Sequence, residues 1–413
     1  MADGNPRGGA PGTAGRGDLT VGVVVARTGR LASLGDPLDF ALERLGPRLA
    51  AAGPAGRRIR VAGRDSRSTA EGARQAVAEL IRDEGAVLVL TLAGTEVLPA
   101  VADACEAAGT PCVSSTFPWQ VYYYGRGGDD GRPFARTFHF CWGLDDIAGT
   151  FADLWELAGG PGRTVGCLWN DGPQGAWSRH ERHGFAPAAR ARGHRLVDPP
   201  AYAEPAAAFD GHLTAFREAG ADIVTSAATA RDLGRFRELA ARAGLTPRLI
   251  TCSRWLAYPP TTSGTYGPPA QTGVGTLVYW SPAHPYRSSL DGTTAAELAE
   301  AYEQRTGRQC PQPLGLAHAL FEVAAHALRT ADDPEDPEAV AAALRRTDLE
   351  TMAGRLDWTS GPVPNVAEVA LAGGQWQPGE RHGLELAVVT PGRVEGLRPT
   401  ADLLPATAGA LAR

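Results

Sequence analysis

The segment Leu19–Ala26, with the sequence LTVGVVVA, decides the fold class of this chain. It is short, apolar and rich in β-branched residues, which is typical of a strand buried on both faces. Similar runs recur, and each is followed by a longer alanine-rich segment of helical period. The clearest are Val87–Leu90, Thr164–Trp169 and Ile223–Thr225. Because parallel strands need a crossover of helix length, this alternation predicts an α/β fold with parallel sheets.

The alternation of strands and helices stops near the middle of the chain and restarts near Asp145. We therefore predict two similar, doubly wound, Rossmann-like lobes with a ligand cleft between them. A chain of 413 residues is long enough for two such cores. The glycine-rich turn Arg27–Gly35 contains neither GxGxxG nor GK[ST], so it does not indicate a dinucleotide or phosphate loop.

The composition excludes several classes of partner. The net charge is −6 and the arginines are interleaved with acidic residues, so we expect no nucleic-acid partner. None of the six cysteines forms a CxxC pair or has zinc-ligand spacing, so we expect no metal and no cofactor. No apolar run reaches the roughly 18 residues that a membrane-spanning helix needs.

The two ends of the chain differ from its middle. The Gly/Pro-rich composition of residues 1–18 predicts a flexible linker, and this segment contains no apolar signal region and no lipidation cysteine. Two alternatives follow. Either a secretion signal has been removed and the protein is extracytoplasmic, secreted or anchored as a lipoprotein, or Met1 is the true start and the protein stays in the cytosol. We expect residues 396–413 to form a loose tail.

The sequence lacks motifs for catalysis. It contains no GxSxG, and its serines, histidines and aspartates follow no order typical of a triad. His180 and His183 do not have HExxH spacing, and the surrounding charges indicate a solvated helix face. We therefore predict no catalytic residue.

Four segments carry a resemblance to a known family. They are Thr28–Gly35, Ala221–Val224, Ala301–Gly307 and Ala317–Glu322. Over roughly residues 19–395 the chain resembles the type I periplasmic binding proteins, in particular the branched-chain amino-acid (Leu/Ile/Val) receptors of ABC importers.

This resemblance implies two lobes joined by three hinge strands, with ligand bound between the lobes. The hinge crossings would fall near 139–143, 277–281 and 352–357. Lobe 1 would comprise residues 19–140 with 281–352, and lobe 2 residues 143–278 with 357–395.

The resemblance also implies ligand-binding turns in lobe 1. In the family, the turn after the third strand holds a ligand carboxylate, and here it contains Gly94 and Thr95. Gly94 would allow close approach, Thr95 offers a hydroxyl, and the following helix N-terminus favours an anion. The alternative is a plain N-cap. Ser114, Ser115 and Thr116 match the second hydroxyl-bearing loop, unless they are ordinary turn residues.

Lobe 2 departs from the amino-acid-binding pattern of the family. A tyrosine position corresponds to Gln174, and the acidic residue expected after strand 248–252 corresponds to Ser253 or Arg254. Because an uncompensated buried ammonium group is costly, this argues against a zwitterionic α-amino acid as ligand. Arg254 could instead face an anion as a bidentate fork; the alternative is an exposed arginine.

Aromatic residues cluster where the cleft is expected. We predict ligand contacts for Phe117, Trp119, Trp169 and Trp255, which would suit an aromatic or largely apolar ligand. For Trp142 and Trp280 we expect packing at the hinge instead.

The resulting hypothesis is a monomeric, extracytoplasmic solute-binding protein that delivers a small organic ligand to an ABC permease by hinge closure. The ligand would be aromatic or carboxylate-bearing rather than a simple amino acid. The alternative is a cytosolic protein of the same fold that was recruited as a ligand sensor or as an enzyme in a biosynthetic pathway.

Overall fold

The computed structural model describes residues 17–32, 35–94, 96–129, 131–254 and 273–406. The strands within these ranges are β1 Leu19–Val25, β2 Ile59–Asp65, β3 Ala86–Leu92, β4 Cys112–Ser115, β5 Thr137–Cys141, β6 Thr164–Leu168, β7 Arg195–Val197, β8 Ile223–Ser226, β9 Leu249–Cys252, β10 Val274–Val278, β11 Asp348–Thr351, β12 Gly354–Asp357, β13 Val366–Glu368, β14 Ala372–Gly379 and β15 Gly383–Thr390. The helices are α1 Asp36–Ala51, α2 Ala70–Arg82, α3 Val97–Ala108, α4 Trp119–Gly125, α5 Leu144–Gly159, α6 Pro173–Ser178, α7 Phe185–Ala191, α8 Asp210–Glu218, α9 Ala230–Arg242, α10 Ala295–Thr306, α11 Pro313–Thr330 and α12 Pro337–Arg345.

Two sheets organise the molecule. The first has the strand order β13-β5-β4-β3-β1-β2, and the second has the order β15-β14-β10-β9-β8-β6-β7. Strands β1–β5 and strands β6–β10 both follow the doubly wound order 2-1-3-4-5, with parallel pairing throughout. This repeat confirms the predicted α/β class with two doubly wound lobes. We call each sheet with its covering helices the first or the second lobe.

Strand β1 shows why the apolar run predicts this architecture. Val23 and Val25 enter one buried cluster, whereas the intervening Val24 enters another on the opposite face. Both faces of the strand are therefore covered, as a continuous apolar run predicts. At Gly22 a Cβ atom would lie 3.1 Å from Leu80 of α2, so the absence of a side chain lets that helix pack closely.

The chain passes between the two sheets three times. It leaves β5 through Trp142 to enter α5, and it leaves β10 through Tyr279 to return to the first lobe. Trp142 and Tyr279 stack with ring centroids 4.2 Å apart, so the two crossings pack against each other.

The third crossing lies later than the expected 352–357. That segment contributes to the β11–β12 hairpin, and β13 then pairs with β5 in the first sheet through Glu368. Val369 still donates from its backbone to the Cys141 carbonyl, at 3.3 Å, and the second sheet begins only at Ala372. The sequence pattern predicts a strand at 366–371, but the pattern of a strand does not indicate the sheet in which it pairs, so the resemblance placed this segment in lobe 2.

The end of the described chain is packed rather than loose, in contrast to the expectation for residues 396–413. The Gln375 side chain donates to the Leu404 carbonyl and accepts from its N–H, each at 2.8 Å, and Thr400 donates to the Val388 carbonyl at 2.7 Å. Residues 407–413 and most of the predicted linker, residues 1–16, lie outside the described residues. None of the described helices is long and apolar enough to cross a membrane.

Candidate functional site

The turn after β3 leads directly into α3. The Gly94 carbonyl accepts hydrogen bonds from the backbone N–H groups of Val97 and Leu98, at 3.2 and 3.0 Å, and so caps the first turn of the helix. Arg30, from the turn after β1, pairs with Glu96 at 2.6 Å. These contacts bring the ends of β1 and β3 together beside the N-terminus of α3. Thr95, the predicted hydroxyl of this turn, lies outside the described residues.

The serines at the end of β4 make hydrogen bonds within the first lobe. Ser114 Oγ lies 2.9 Å from His139 Nδ1, and Ser115 Oγ donates to the Phe140 carbonyl at 2.7 Å. Both serines are fully buried. Their hydroxyls therefore join β4 to β5, and this is a structural use that the sequence analysis gave only as the alternative.

Thr116 is the half-buried hydroxyl of the same turn. Its Oγ1 donates to the Ala93 carbonyl at 3.0 Å, which joins the turn after β4 to the turn after β3. Its φ of 108° is unusual for a β-branched residue. Such strain costs on the order of 1–3 kcal/mol and concentrates at ligand-binding positions, which supports the prediction for Thr116.

His139 is a buried polar residue that sequence reasoning missed. Its ring stacks on Tyr122 with centroids 4.1 Å apart, and its Nε2 lies 2.9 Å from the Phe117 carbonyl. Burial is the main reason that its pKa falls to about 3. The pair of Ser114 and His139 resembles a nucleophile and base, but neither side chain has exposed surface. A substrate could not reach them, so we assign the pair to the scaffold.

The aromatic residues after β4 lie between the core and the second lobe. Phe117 packs edge-on against Tyr122, at 6.5 Å between centroids. Trp119 lies 6.0 Å from Tyr124 and 6.4 Å from His183 of the second lobe. Phe117 and Trp119 thus stand at the carboxyl end of the first sheet, where the cleft is expected, although only 6% and 5% of their surfaces are exposed.

Trp169 belongs to the core of the second lobe. Only 1% of its surface is exposed, and its ring lies 5.0 Å from that of Phe185 in α7. This placement does not favour the predicted ligand contact, because almost none of the indole surface is exposed and α7 packs against it. The sequence could not distinguish a tryptophan at the end of a strand from one in the cleft wall.

The chain after Trp169 forms the turn of the second lobe that leads into α6. Asn170 Oδ1 accepts from the Gly175 N–H at 2.7 Å and so fixes the start of this helix. Gln174 lies half-buried in the first turn of α6, and its backbone carbonyl accepts from the Ser178 hydroxyl at 2.8 Å. The turn therefore offers Gln174 at the carboxyl end of the second sheet.

The turn after β9 carries an internal ion pair. Ser253 is half-buried and donates from its backbone to the Ser226 carbonyl at 3.2 Å. One guanidinium nitrogen of Arg254 lies 2.7 Å from each carboxylate oxygen of Glu204. Arg254 is therefore paired within the second lobe, whereas the two alternatives offered by the sequence were an anionic ligand and an exposed arginine. Trp255 lies outside the described residues.

The two lobes meet at side chains that the sequence analysis did not select. Gln120 donates to Asp145 at 2.6 Å and accepts from the Leu144 N–H at 2.7 Å, which ties α4 to the start of α5. His183 stacks on Tyr124, with centroids 5.4 Å apart. Residues 179–184 lie between α6 and α7, so the expected helix face at His183 is wrong. In the described part of the chain, no group of three or more His, Cys, Asp or Glu residues could hold a metal ion.

Known proteins resemble this chain in sequence and in fold. A family model described as "Periplasmic binding protein" matches residues 18–377. No curated protein matches the chain.

Several solved structures share the fold. An ABC transporter solute-binding protein of Rhodopseudomonas palustris BisB5, solved with 3,4-dihydroxybenzoic acid, is 19% identical with a TM-score of 0.67, over 93% of this chain and 99% of that one. Another from R. palustris, solved with benzoate, is 16% identical with a TM-score of 0.65, over 94% and 99%. A leucine-binding protein of Thermotoga maritima is 15% identical with a TM-score of 0.65, over 89% and 97%. At these identities the likeness shows the fold alone.

Proposed function

The chain belongs to the periplasmic binding protein family, and from this premise we propose that it is the extracytoplasmic solute-binding protein of an ABC importer, with a small aromatic carboxylate as its ligand. The proposal includes a monomeric receptor and an ABC permease as its membrane partner. Family membership supports the extracytoplasmic location and the transport role.

The proposal rests on the contact between segments that follow the strands of the two lobes. The segments that follow β4 and β6 contact each other through Tyr124 and His183. The carboxyl ends of both sheets therefore border one cleft, and open α/β sheets bind their ligands at this edge. Thr116 follows β4 of the first lobe and Gln174 follows β6 of the second, and the proposal assigns them to opposite sides of that cleft.

The aromatic character of the ligand follows from the residues near the strand ends. Phe117 and Trp119 stand after β4, and aromatic faces favour stacking with an aromatic ligand. The N-terminus of α3, a helix of 12 residues, favours a carboxylate. Solute-binding proteins of the same fold have been solved with benzoate, 4-hydroxybenzoate and 3,4-dihydroxybenzoic acid.

The turn after β9 argues against an amino acid as ligand. Glu204 brings a carboxylate to this turn, but Arg254 already pairs with it at 2.7 Å. A ligand ammonium group would have to compete with a guanidinium for this carboxylate, which weakens any gain from binding.

Lobe closure is the mechanism by which such a receptor holds its ligand. A ligand that contacts both lobes binds more tightly when the lobes are closed than when they are open. This difference in affinity stabilises the closed arrangement. The three crossings between the sheets supply the axis for this movement. The permease would then recognise the closed receptor.

Thermal unfolding with candidate ligands tests the proposal. Benzoate, 4-hydroxybenzoate and 3,4-dihydroxybenzoate should each raise Tm, since a ligand at about 100 times its Kd stabilises by about 2.7 kcal/mol. Benzamide is the matched control, because it keeps the ring and replaces the carboxylate by a neutral amide. Calorimetric titration then checks 1:1 binding. Stabilisation by leucine or isoleucine, with no effect of the three acids, would contradict the proposal.

A further inference from the structure

Four rings form a continuous stack that runs from the second lobe to the first. The Trp177 ring lies 5.2 Å from His180, His180 lies 4.9 Å from His183, and His183 lies 5.4 Å from Tyr124. The interplanar angles are 20°, 27° and 24°, so all three contacts are stacked. We call these four residues the histidine stack. Its last contact joins α4 of the first lobe to the second lobe.

The ring of His180 acts as a hydrogen-bond acceptor in this arrangement. Its Nδ1 accepts hydrogen bonds from the backbone N–H groups of Arg182 and His183, at 3.3 and 3.2 Å. A backbone N–H can only donate, so the ring nitrogen that it faces carries no proton. Protonation at Nδ1 would replace both attractive contacts by repulsion between N–H groups. The turn that presents His183 to the first lobe would then lose its internal support.

The surroundings of His183 also favour the neutral ring. Burial is the largest cause that lowers its pKa, and the neighbouring side chains of His180 and Arg182 lower it further. Asp145, at the start of α5, acts in the opposite direction, but its carboxylate already accepts from Gln120 at 2.6 Å. From α4 the ring faces the rings of Tyr124 and Trp119. Two cationic rings 4.9 Å apart would repel each other.

We propose that the histidine stack is a closure contact of the cleft that persists only while His180 and His183 are neutral, so that acidification separates the lobes and weakens ligand retention. The link to ligand retention rests on the proposed function, whereas the contact between the lobes does not. The sign follows from the lowered pKa of His183: the contribution of a neutral ring is present above its ordinary pKa of about 6.5 and is lost as the pH falls below that value.

The distance between the lobes tests the contact without any ligand. Spin labels on Glu71→Cys in α2 and Glu218→Cys in α8, both exposed positions, report this distance by pulsed electron resonance. The Cys310→Ser change removes the one cysteine that is not fully buried. Between pH 7.5 and 5.5 the ratio of short to long distances should fall by up to about tenfold, because the contact lowers the pKa of His183, and a ring released from the contact regains its ordinary pKa of about 6.5.

Variants separate the stack from other effects of pH. The Tyr124→Phe change keeps a ring in place and should keep the response, whereas the double change His180→Gln with His183→Gln should abolish it. A distance distribution that is identical at both pH values, or a double variant that responds like the parent, would overturn the inference.

Binding of 4-hydroxybenzoate distinguishes this inference from the proposed function. Its Kd should rise between pH 7.5 and 5.5 in the parent and change less in the double variant. If 4-hydroxybenzoate binds at neither pH, the proposed ligand class fails, and the ligand-free distances still decide whether the stack joins the lobes.

Discussion

His139 makes the protein less stable as the pH falls from 7 to 5. Its ring is buried in β5, against Tyr122, with Ser114 Oγ 2.9 Å from Nδ1 and the Phe117 carbonyl 2.9 Å from Nε2. Burial is the largest cause that lowers its pKa to about 3, and the guanidinium of Arg126 acts in the same direction. The hydrogen bond to the Phe117 carbonyl opposes both effects.

The size of the effect follows from the two pKa values of His139. In the unfolded chain the ring has its ordinary pKa of about 6.5, so at pH 5 it is almost fully protonated, while the folded ring stays neutral. Each pKa unit corresponds to about 1.36 kcal/mol, so protonation of the unfolded chain costs the folded state about 2 kcal/mol at pH 5 and almost nothing at pH 7. The stability is therefore present above the unfolded pKa and is lost as the pH falls towards the folded one.

Urea unfolding at pH 7, 6 and 5 measures this loss. The matched variant is His139→Gln, whose amide can donate to the Phe117 carbonyl and accept from Ser114 but does not titrate. His284, whose pKa burial lowers to about 4, titrates in both proteins and cancels in the comparison. The stability advantage of the parent over the variant should shrink by about 2 kcal/mol from pH 7 to pH 5. An advantage that stays constant over this range would refute the reasoning.

Three further outcomes are expected. Gly315→Ala would place Cβ 2.1 Å from Cδ1 of Trp280, so it should lower the free energy of unfolding in urea by about 1–3 kcal/mol. Gly149→Ala, where a Cβ would have nothing within 4 Å, should raise this free energy by about 0.5–1 kcal/mol. Equal effects of the two changes would contradict the packing around Gly315. Glu322→Ala removes a buried carboxylate that accepts from the Met352 N–H and lies 3.0 Å from His318 Nδ1, so it should cost about 1–3 kcal/mol by the same measurement; an unchanged stability would argue against these contacts. Ellman's reagent at pH 8 should react slowly with the native protein, because five cysteines are buried and burial raises the pKa of the sixth, Cys310, to about 12. All six should react after unfolding, and more than one fast thiol in the native protein would disprove this.

The sequence predicted the parts of the fold that depend on local pattern. The run around Val23 and Val24 predicts a strand covered on both faces, because every side chain in it is apolar whichever face it occupies. The alternation with helices predicts parallel pairing, because the connections are of helix length. The sequence did not predict the third crossing, because the pairing of β13 with β5, and not the local pattern of β13, decides in which sheet this strand lies.

In the candidate site, too, the sequence predicted some features and could not predict others. The sequence indicated which turns follow the strands, and Thr116 stands at such a turn with a strained φ. It could not indicate that Ser115 bonds to Phe140, because that partner is set by the register between two strands distant in the chain. Nor could it place Trp169 in the core, since the helix that covers its ring is positioned by the packing of the whole lobe.

The sequence by itself determined that this protein has parallel, doubly wound sheets with polar turns at the ends of their strands, because backbone conformation and burial pattern are local properties of a chain. Only the tertiary structure decided that Tyr124 meets His183. Their contact exists because three crossings bring the carboxyl ends of two separate sheets together, and no local property of either segment encodes that meeting.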